Sequence, residues 1–309
     1  MVTTEHILIA GAQGSVGHQP WTSRWLAEVS DYWSLTKPEV NLLIVICSAA
    51  GFYLGCSVNS EGLPLLLLIH TLLGTLLVAS GAATLNQYIE RHHDGRMRRT
   101  ADRPLPASRI SPRSALMFGI LLASAGTVYL AVAVNLLASL LAILTLLTYL
   151  FAYTPLKRKT PICTLVGAFP GAMPPLIGWA AATGRLSVLS VELYGFLFLW
   201  QFPHFMAIAW TYREDYARAG YLVLPTENRN RFVAWLTVLP TLGLVILSLV
   251  PTALAGLVCR TGVFLLSLGL ASCGAQLSLR PSNVGARRLL LASIVYLPLV
   301  FVLMVADNV

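Results

Sequence analysis

Residues 64–87 read PLLLLIHTLLGTLLVASGAATLNQ, twenty-four positions without an Asp, Glu, Lys or Arg. A helix of about 20 apolar residues crosses a hydrocarbon core about 30 Å thick, so this run predicts a membrane span. The next seven residues reverse its character: Tyr88-Ile89-Glu90-Arg91-His92-His93-Asp94. An apolar span that ends in acid and base frames the reading of everything around it.

Eight further stretches qualify as spans, at about 40–57, 114–133, 135–153, 161–182, 191–211, 232–250, 252–278 and 288–306. Lipid offers no partner to unpaired backbone groups, so these runs predict an all-α bundle of nine transmembrane helices around a central cavity. Composition agrees. Of 309 residues, 56% are apolar and 11% charged, with a mean hydropathy of +0.72. A soluble domain carries about 25% charged residues. The balance excludes a cytosolic enzyme, a disordered chain and a nucleic-acid binder, despite a net charge of +8. The five cysteines form no CxxC pair and read as core- or lipid-facing thiols.

Charge orients the bundle. With nine spans, every Lys and Arg except Arg185 and Arg260 falls on one face. That face is the cytoplasmic one by the positive-inside pattern, and a bacterial plasma membrane is the expected location. Residues 1–36 lack both a signal-peptide pattern and the arginines of a mitochondrial presequence, and read as a short, mostly flexible cytoplasmic leader. Residues 37–309 form the transmembrane domain.

Asn86, Glu90 and Asp94 sit at i, i+4 and i+8, on one helix face at the membrane edge. An amide and two carboxylates are hard oxygen ligands, and Mg²⁺ takes one or two carboxylates together with phosphate oxygens. Arg96, Arg98, Arg99 and Arg103 follow directly, and guanidinium forks grip phosphate bidentately. A diphosphate held between metal and arginines accounts for both sets, where topology alone would account only for the bases.

Further candidates lie on the same face. Tyr153 precedes Lys157 by four residues, with Arg158 and Lys159 next to it. Tyr212-Arg213-Glu214-Asp215-Tyr216 offers Asp215 as a second metal ligand. Within the sixth span, Gln201 and His204 are polar residues in apolar surroundings, which marks a functional site unless the kink at Pro203 employs them structurally. His70 reads as a packing residue, and His92 and His93 as facing water. Gly167 and Gly171 form a small-xxx-small contact, and Pro174-Pro175 breaks the helix in a way membranes tolerate only against protein or a cavity.

These residues together resemble the UbiA-type intramembrane prenyltransferases, and within them the protohaem IX farnesyltransferase branch. Leu35-Thr36-Lys37-Pro38 is similar to the family's opening. Asn86 to Asp94, with Met97, Arg99-Thr100 and Arg103-Pro104-Leu105, is similar to its first acidic motif. Tyr153-Thr154, Lys157-Arg158 and Thr160 match a second string. The strings 174–179 (PPLIGW) and 200–205 (WQFPHF), with Asp215-Tyr216, Ala219-Gly220 and Leu224-Pro225, resemble the haem branch. The resemblance covers about 31–306. Two positions depart from the pattern: Glu90 stands where the family has Asp, and Thr211 stands where the second motif has its first Asp.

The resemblance implies farnesyl diphosphate and haem B as substrates, and haem O and diphosphate as products. It implies Mg²⁺ on Asn86, Glu90, Asp94 and Asp215, with Lys157 neutralising the leaving group. It implies substrate contacts from Lys37, Arg98, Arg99, Arg103, Tyr153, Arg158, Gln201, His204, Arg213 and Tyr216. Expected partners are membrane lipid and a haem A synthase or an oxidase-assembly factor. Another acceptor, such as a quinone precursor or a chlorin, fits the same acidic loops. A transporter would place its polar residues near mid-bilayer instead.

Overall fold

The computed structural model describes residues 21–58, 62–225, 229–250 and 255–307, and among these every regular element is helical. The elements run α1 (Trp21–Leu35), α2 (Pro38–Val58), α3 (Leu65–Asp94), α4 (Pro112–Ala133) and α5 (Leu136–Leu147). A π-helical turn (Thr148–Tyr153) joins α5 to α6 (Thr154–Leu156), and α7 (Cys163–Gly171) and α8 (Met173–Thr183) follow. The chain continues through α9 (Val188–Thr211), α10 (Arg213–Ala219), α11 (Arg229–Leu249), α12 (Leu257–Leu279) and α13 (Asn283–Ala306).

Eight segments are long and apolar enough to cross a membrane, counting α5 to α6 and α7 to α8 as one segment each. The 24-residue α9 is the ninth long helix among the described residues. Its Glu192, Gln201, Pro203 and His204 lower its hydropathy, which is why length and composition alone pass it over. The fifth span is broken at Ala172, and Pro174 and Pro175 lie in the first turn of α8, where proline starts a helix at little cost. The sequence predicts that break and the cavity beside it.

The 30 residues of α3 extend about 45 Å at 1.5 Å each, about 15 Å more than the hydrocarbon core. That excess equals about ten residues, the length of the stretch 85–94 that carries Asn86, Glu90 and Asp94.

Residues 1–20 of the leader lie outside the described residues. Trp21–Leu35 is helical, which corrects the expectation of a flexible segment. Its apolar residues are periodic: Trp25, Val29 and Trp33 fall one turn apart and are exposed. The bundle-facing side of α1 is held by specific contacts. Leu35 is buried among Leu105, Ile110 and Ala115, Asp31 pairs with Arg109 at 3.0 Å, and the Tyr32 ring meets Phe118 edge-on.

Two buried clusters flank the middle of the bundle. One joins α9, α11, α12 and α13 to one face of α2; the other joins α3, α4, α5 and α8 to its other face. A cavity of about 520 Å³ lies between them, with walls from α2, α3, α5, α8, α9 and α13. That volume is within the range of about 300–1,000 Å³ usual for small-molecule sites.

Candidate active site

The site is built at the projecting end of α3. Asn86, Glu90 and Asp94 share one face, and all three are buried. Burial of two carboxylates requires partners, because an isolated charge in low dielectric is strongly disfavoured. Each has a cation. Lys157 Nζ donates to both oxygens of Glu90, at 2.9 and 3.2 Å. Arg103 Nη1 donates to Asp94 Oδ2 at 2.8 Å. Asn86 takes a third cation: Lys37 Nζ donates to its Oδ1 at 3.1 Å, while its Nδ2 donates to Thr154 Oγ1 at 3.1 Å.

The local structure explains how distant residues arrive there. Lys37 lies in the turn between α1 and α2 with φ of 53°, in the left-handed region that non-glycine residues adopt at a cost of about 1–3 kcal/mol. Asn41 secures the turn by donating to Thr36 O at 2.8 Å and to Ser80 Oγ at 2.9 Å. The π-helical turn inserts an extra residue into the α5–α6 segment, and Thr154 closes it by donating to Tyr149 O at 2.8 Å. Tyr149 and Tyr153 both line the cavity as a result, and Lys157 Nζ sits 4.6 Å from the Tyr153 ring centre.

Burial lowers the Lys37 ammonium to about 7, with Arg103 and Lys157 adding repulsion that Glu90 and Asp94 only partly offset. An incoming diphosphate would restore its charge. Lys157 behaves in the opposite sense. Burial alone would lower it, but Glu90 and the flanking phenols hold it well above the ordinary lysine range.

Other predicted residues occupy varied positions. Asp215 is buried at the start of α10 and pairs with Arg218. Among the described residues, no three His, Cys, Asp or Glu side chains converge as a metal-holding group. The donors are nonetheless hard oxygens, and they fit Mg²⁺ provided that substrate oxygens complete its shell. Arg213 turns toward α13, donating to Asn283 Oδ1 at 2.7 Å. Arg99 lies over the Tyr212 ring at 4.7 Å, and Arg98 is exposed. Tyr216 is half-buried beside Tyr221, with ring centres 6.1 Å apart.

Arg158 and His93 meet at 3.2 Å, and His93 Nδ1 lies 3.0 Å from Ala219 O. His93 therefore clamps the α10 end onto α3, which corrects its reading as a water-facing residue. His70 is a packing residue as expected, 2.6 Å from the Tyr129 hydroxyl. Gly167 and Gly171 do permit close approach, to the Tyr153 ring and the Gln201 amide rather than to another backbone.

The cavity runs from Lys37 to the polar pair on α9. Gln201 Nε2 donates to Ala168 O and Leu197 O, both at 3.1 Å, so its amide satisfies backbone near the α7–α8 break. His204 stacks on Trp200 at 4.8 Å, and its Nδ1 is 2.9 Å from Ser293 Oγ. That hydroxyl also donates to Leu290 O at 2.7 Å, so Ser293 ties His204 to the backbone of α13.

Sequence reading missed Tyr149 and Tyr221 at this site, and named Thr154 only within a matching string. The Asn86 pattern offers no signal for Thr154, 68 positions away. A tyrosine at four-residue spacing before Tyr153 would have pointed to Tyr149.

The UbiA prenyltransferase family model matches residues 44–297. A protoheme IX farnesyltransferase of Solibacter usitatus is 46% identical over 287 residues, covering 90% of this chain and 98% of that protein. One from Salinibacter ruber is 42% identical over 283 residues, with coverage of 90% and 98%. Among solved structures, a UbiA homolog from Archaeoglobus fulgidus bound to GPP and Mg²⁺ superposes with a TM-score of 0.61. It is 15% identical, and the match covers 89% of this chain and 99% of that one.

Proposed function

This chain belongs to the UbiA prenyltransferase family, and on that premise we propose that it is a haem O synthase: it joins the farnesyl group of farnesyl diphosphate to the 2-vinyl group of haem B. One observation carries the chemistry. Asn86, Glu90 and Asp94 form a buried row, each held by a cation, and the cation on Asn86, Lys37, lines one end of an apolar cavity. The identity to proteins named for this activity supports the acceptor.

Asn86, Glu90, Asp94 and Asp215 would hold Mg²⁺, which supplies positive charge to the diphosphate oxygens as the C–O bond ionises. Lys37, Lys157 and Arg103 face the same region and bind oxygens of the leaving group. Fixed positive charge where negative charge develops lowers the barrier. The farnesyl chain lies in the apolar cavity along Val78, Ala82, Leu146 and Tyr149, which excludes water from the allylic cation. The vinyl π bond attacks that cation and forms the new C–C bond. Positive charge moves to the vinyl carbon next to the porphyrin, water adds there, and its proton is lost to solvent. The product is haem with a hydroxyethylfarnesyl arm, plus diphosphate.

His204 faces the acceptor. An imidazole that lines the cavity and is held through Nδ1 by Ser293 is suited to an iron or to a propionic acid group. His204→Ala is expected to raise the haem KM about 10-fold, the worth of about 1.4 kcal/mol, and to leave farnesyl diphosphate affinity unchanged. An unaltered haem KM removes that role.

By its charge pattern the diphosphate end faces the cytoplasm, and the membrane is a bacterial inner membrane. The test uses membranes containing the protein, supplied with haem B, farnesyl diphosphate and Mg²⁺, with porphyrins resolved by mass. A haem heavier by one farnesyl group and one water, lost on adding chelator, is the expected result. Unchanged haem beside a farnesylated quinone precursor would move the acceptor.

A further inference from the structure

The cavity has one depth on three of its walls. Lys37, Asn86 and Thr154 mark its upper level, because Asn86 bonds to both of the others. On α2, α3 and α5 the lining residues farthest from that level are Cys47, Thr75 and Ala142. Thr75 precedes Asn86 by eleven residues and Cys47 follows Lys37 by ten, so both walls descend about 15–16 Å at 1.5 Å per residue. On the third wall Ala142 stands eleven residues before Tyr153, at a similar depth.

Below that depth the bundle is filled. Phe52 is fully buried, in one cluster with Leu130, Leu141 and the cavity-lining Val78 and Ile177. Thr71 lies one turn below Thr75, and Ala138 one turn below Ala142. Both are fully buried, and neither lines the cavity. Interiors packed in this way accept an extra group only at a cost. The apolar space therefore ends at a closed floor.

An isoprene unit adds four chain bonds of about 1.5 Å each, or about 5 Å when extended. Three units measure about 15 Å and four about 20 Å. We propose that the floor is a ruler for the donor: with its diphosphate held at Lys37, three isoprene units fill the depth and a fourth meets Phe52 and its neighbours. The inference rests on the proposed function and adds the residues that select farnesyl among prenyl diphosphates.

The experiment measures equilibrium binding of geranyl, farnesyl and geranylgeranyl diphosphates to the purified protein without haem, each corrected for partition into detergent. Burial of the third unit is expected to make farnesyl bind about 100-fold more tightly than geranyl. Geranylgeranyl is expected to bind about 10-fold more weakly than farnesyl, because its last unit overpacks the floor. Ala142→Leu raises the floor. It is expected to weaken farnesyl about 10-fold and to leave geranyl within about 2-fold. Phe52→Ala lowers the floor and is expected to reverse the preference between farnesyl and geranylgeranyl. Equal affinity of wild type for the two longer donors overturns the proposal, and that comparison needs no variant to fold. An Ala142→Leu protein that loses geranyl and farnesyl alike overturns it too. Transfer to haem is scored separately. The expected length order without farnesylated haem would remove the acceptor and leave the ruler standing, whereas a wild type that binds no prenyl diphosphate would remove both.

Discussion

Asp94→Asn is expected to lower farnesyl transfer by about 100- to 1000-fold while the protein still folds, as read by initial rates at saturating Mg²⁺ and by Tm. The substitution keeps shape and removes one negative charge. Losing a preorganised electrostatic contact of this kind costs about 2.7–4 kcal/mol of transition-state stabilisation. The folding cost is smaller. The Arg103 side chain is 27% exposed, so the guanidinium can turn to water when its carboxylate is neutralised, and no buried charge is left without a partner. Glu90→Gln differs in this respect. Its partner Lys157 is only 14% exposed, and breaking a buried pair costs about 3–5 kcal/mol because the surviving charge has no partner. That variant mixes lost chemistry with lost fold, whereas Asp94→Asn separates them. Activity within 10-fold of wild type would remove Asp94 from the diphosphate site.

The same contrast shows what the sequence made legible. Spacing alone aligned Asn86, Glu90 and Asp94, because a helix repeats every 3.6 residues and the run before them is unmistakably a span. Which cations hold them was only half legible. Lys37 and Lys157 reach α3 across 49 and 67 positions, and only the resemblance had linked them to it. The π-helical turn that aims Tyr149 at the cavity has no periodic signature, since it differs from an α-turn by one residue. The α1 helix was missed for a related reason: its apolar stripe spans only about two turns and lies outside any membrane-length run. The proline break between α7 and α8 was read correctly because proline acts on the backbone directly.

Gly178→Val is expected to give a large loss of stability, because α2 and α8 meet backbone to backbone. A Cβ at Gly178 would overlap the Ser48 carbonyl oxygen, and one at Gly51 would overlap the Pro175 carbonyl oxygen. Neither obstacle is a flexible side chain, so the helices themselves must separate. Overpacking costs about 1–3 kcal/mol, occasionally more, and the rigid contact places this case at the upper end. A Tm lower by about 6–12 °C in detergent is the expected result. Activity should fall with it. Leu43 and Cys47 on α2 and Pro174 and Ile177 on α8 line the cavity, so separating these helices admits water beside the allylic cation. Gly269→Ala is the control: a Cβ there meets nothing within 4 Å, and alanine's better helix propensity predicts no loss. The decisive comparison is a cycle of Gly51→Ala, Gly178→Ala and the pair. One outward shift of α2 relieves both overlaps, so the double variant should lose less than the sum of the singles. Strict additivity would show that the two glycines answer to separate contacts, and that no single rigid seam closes this wall of the cavity.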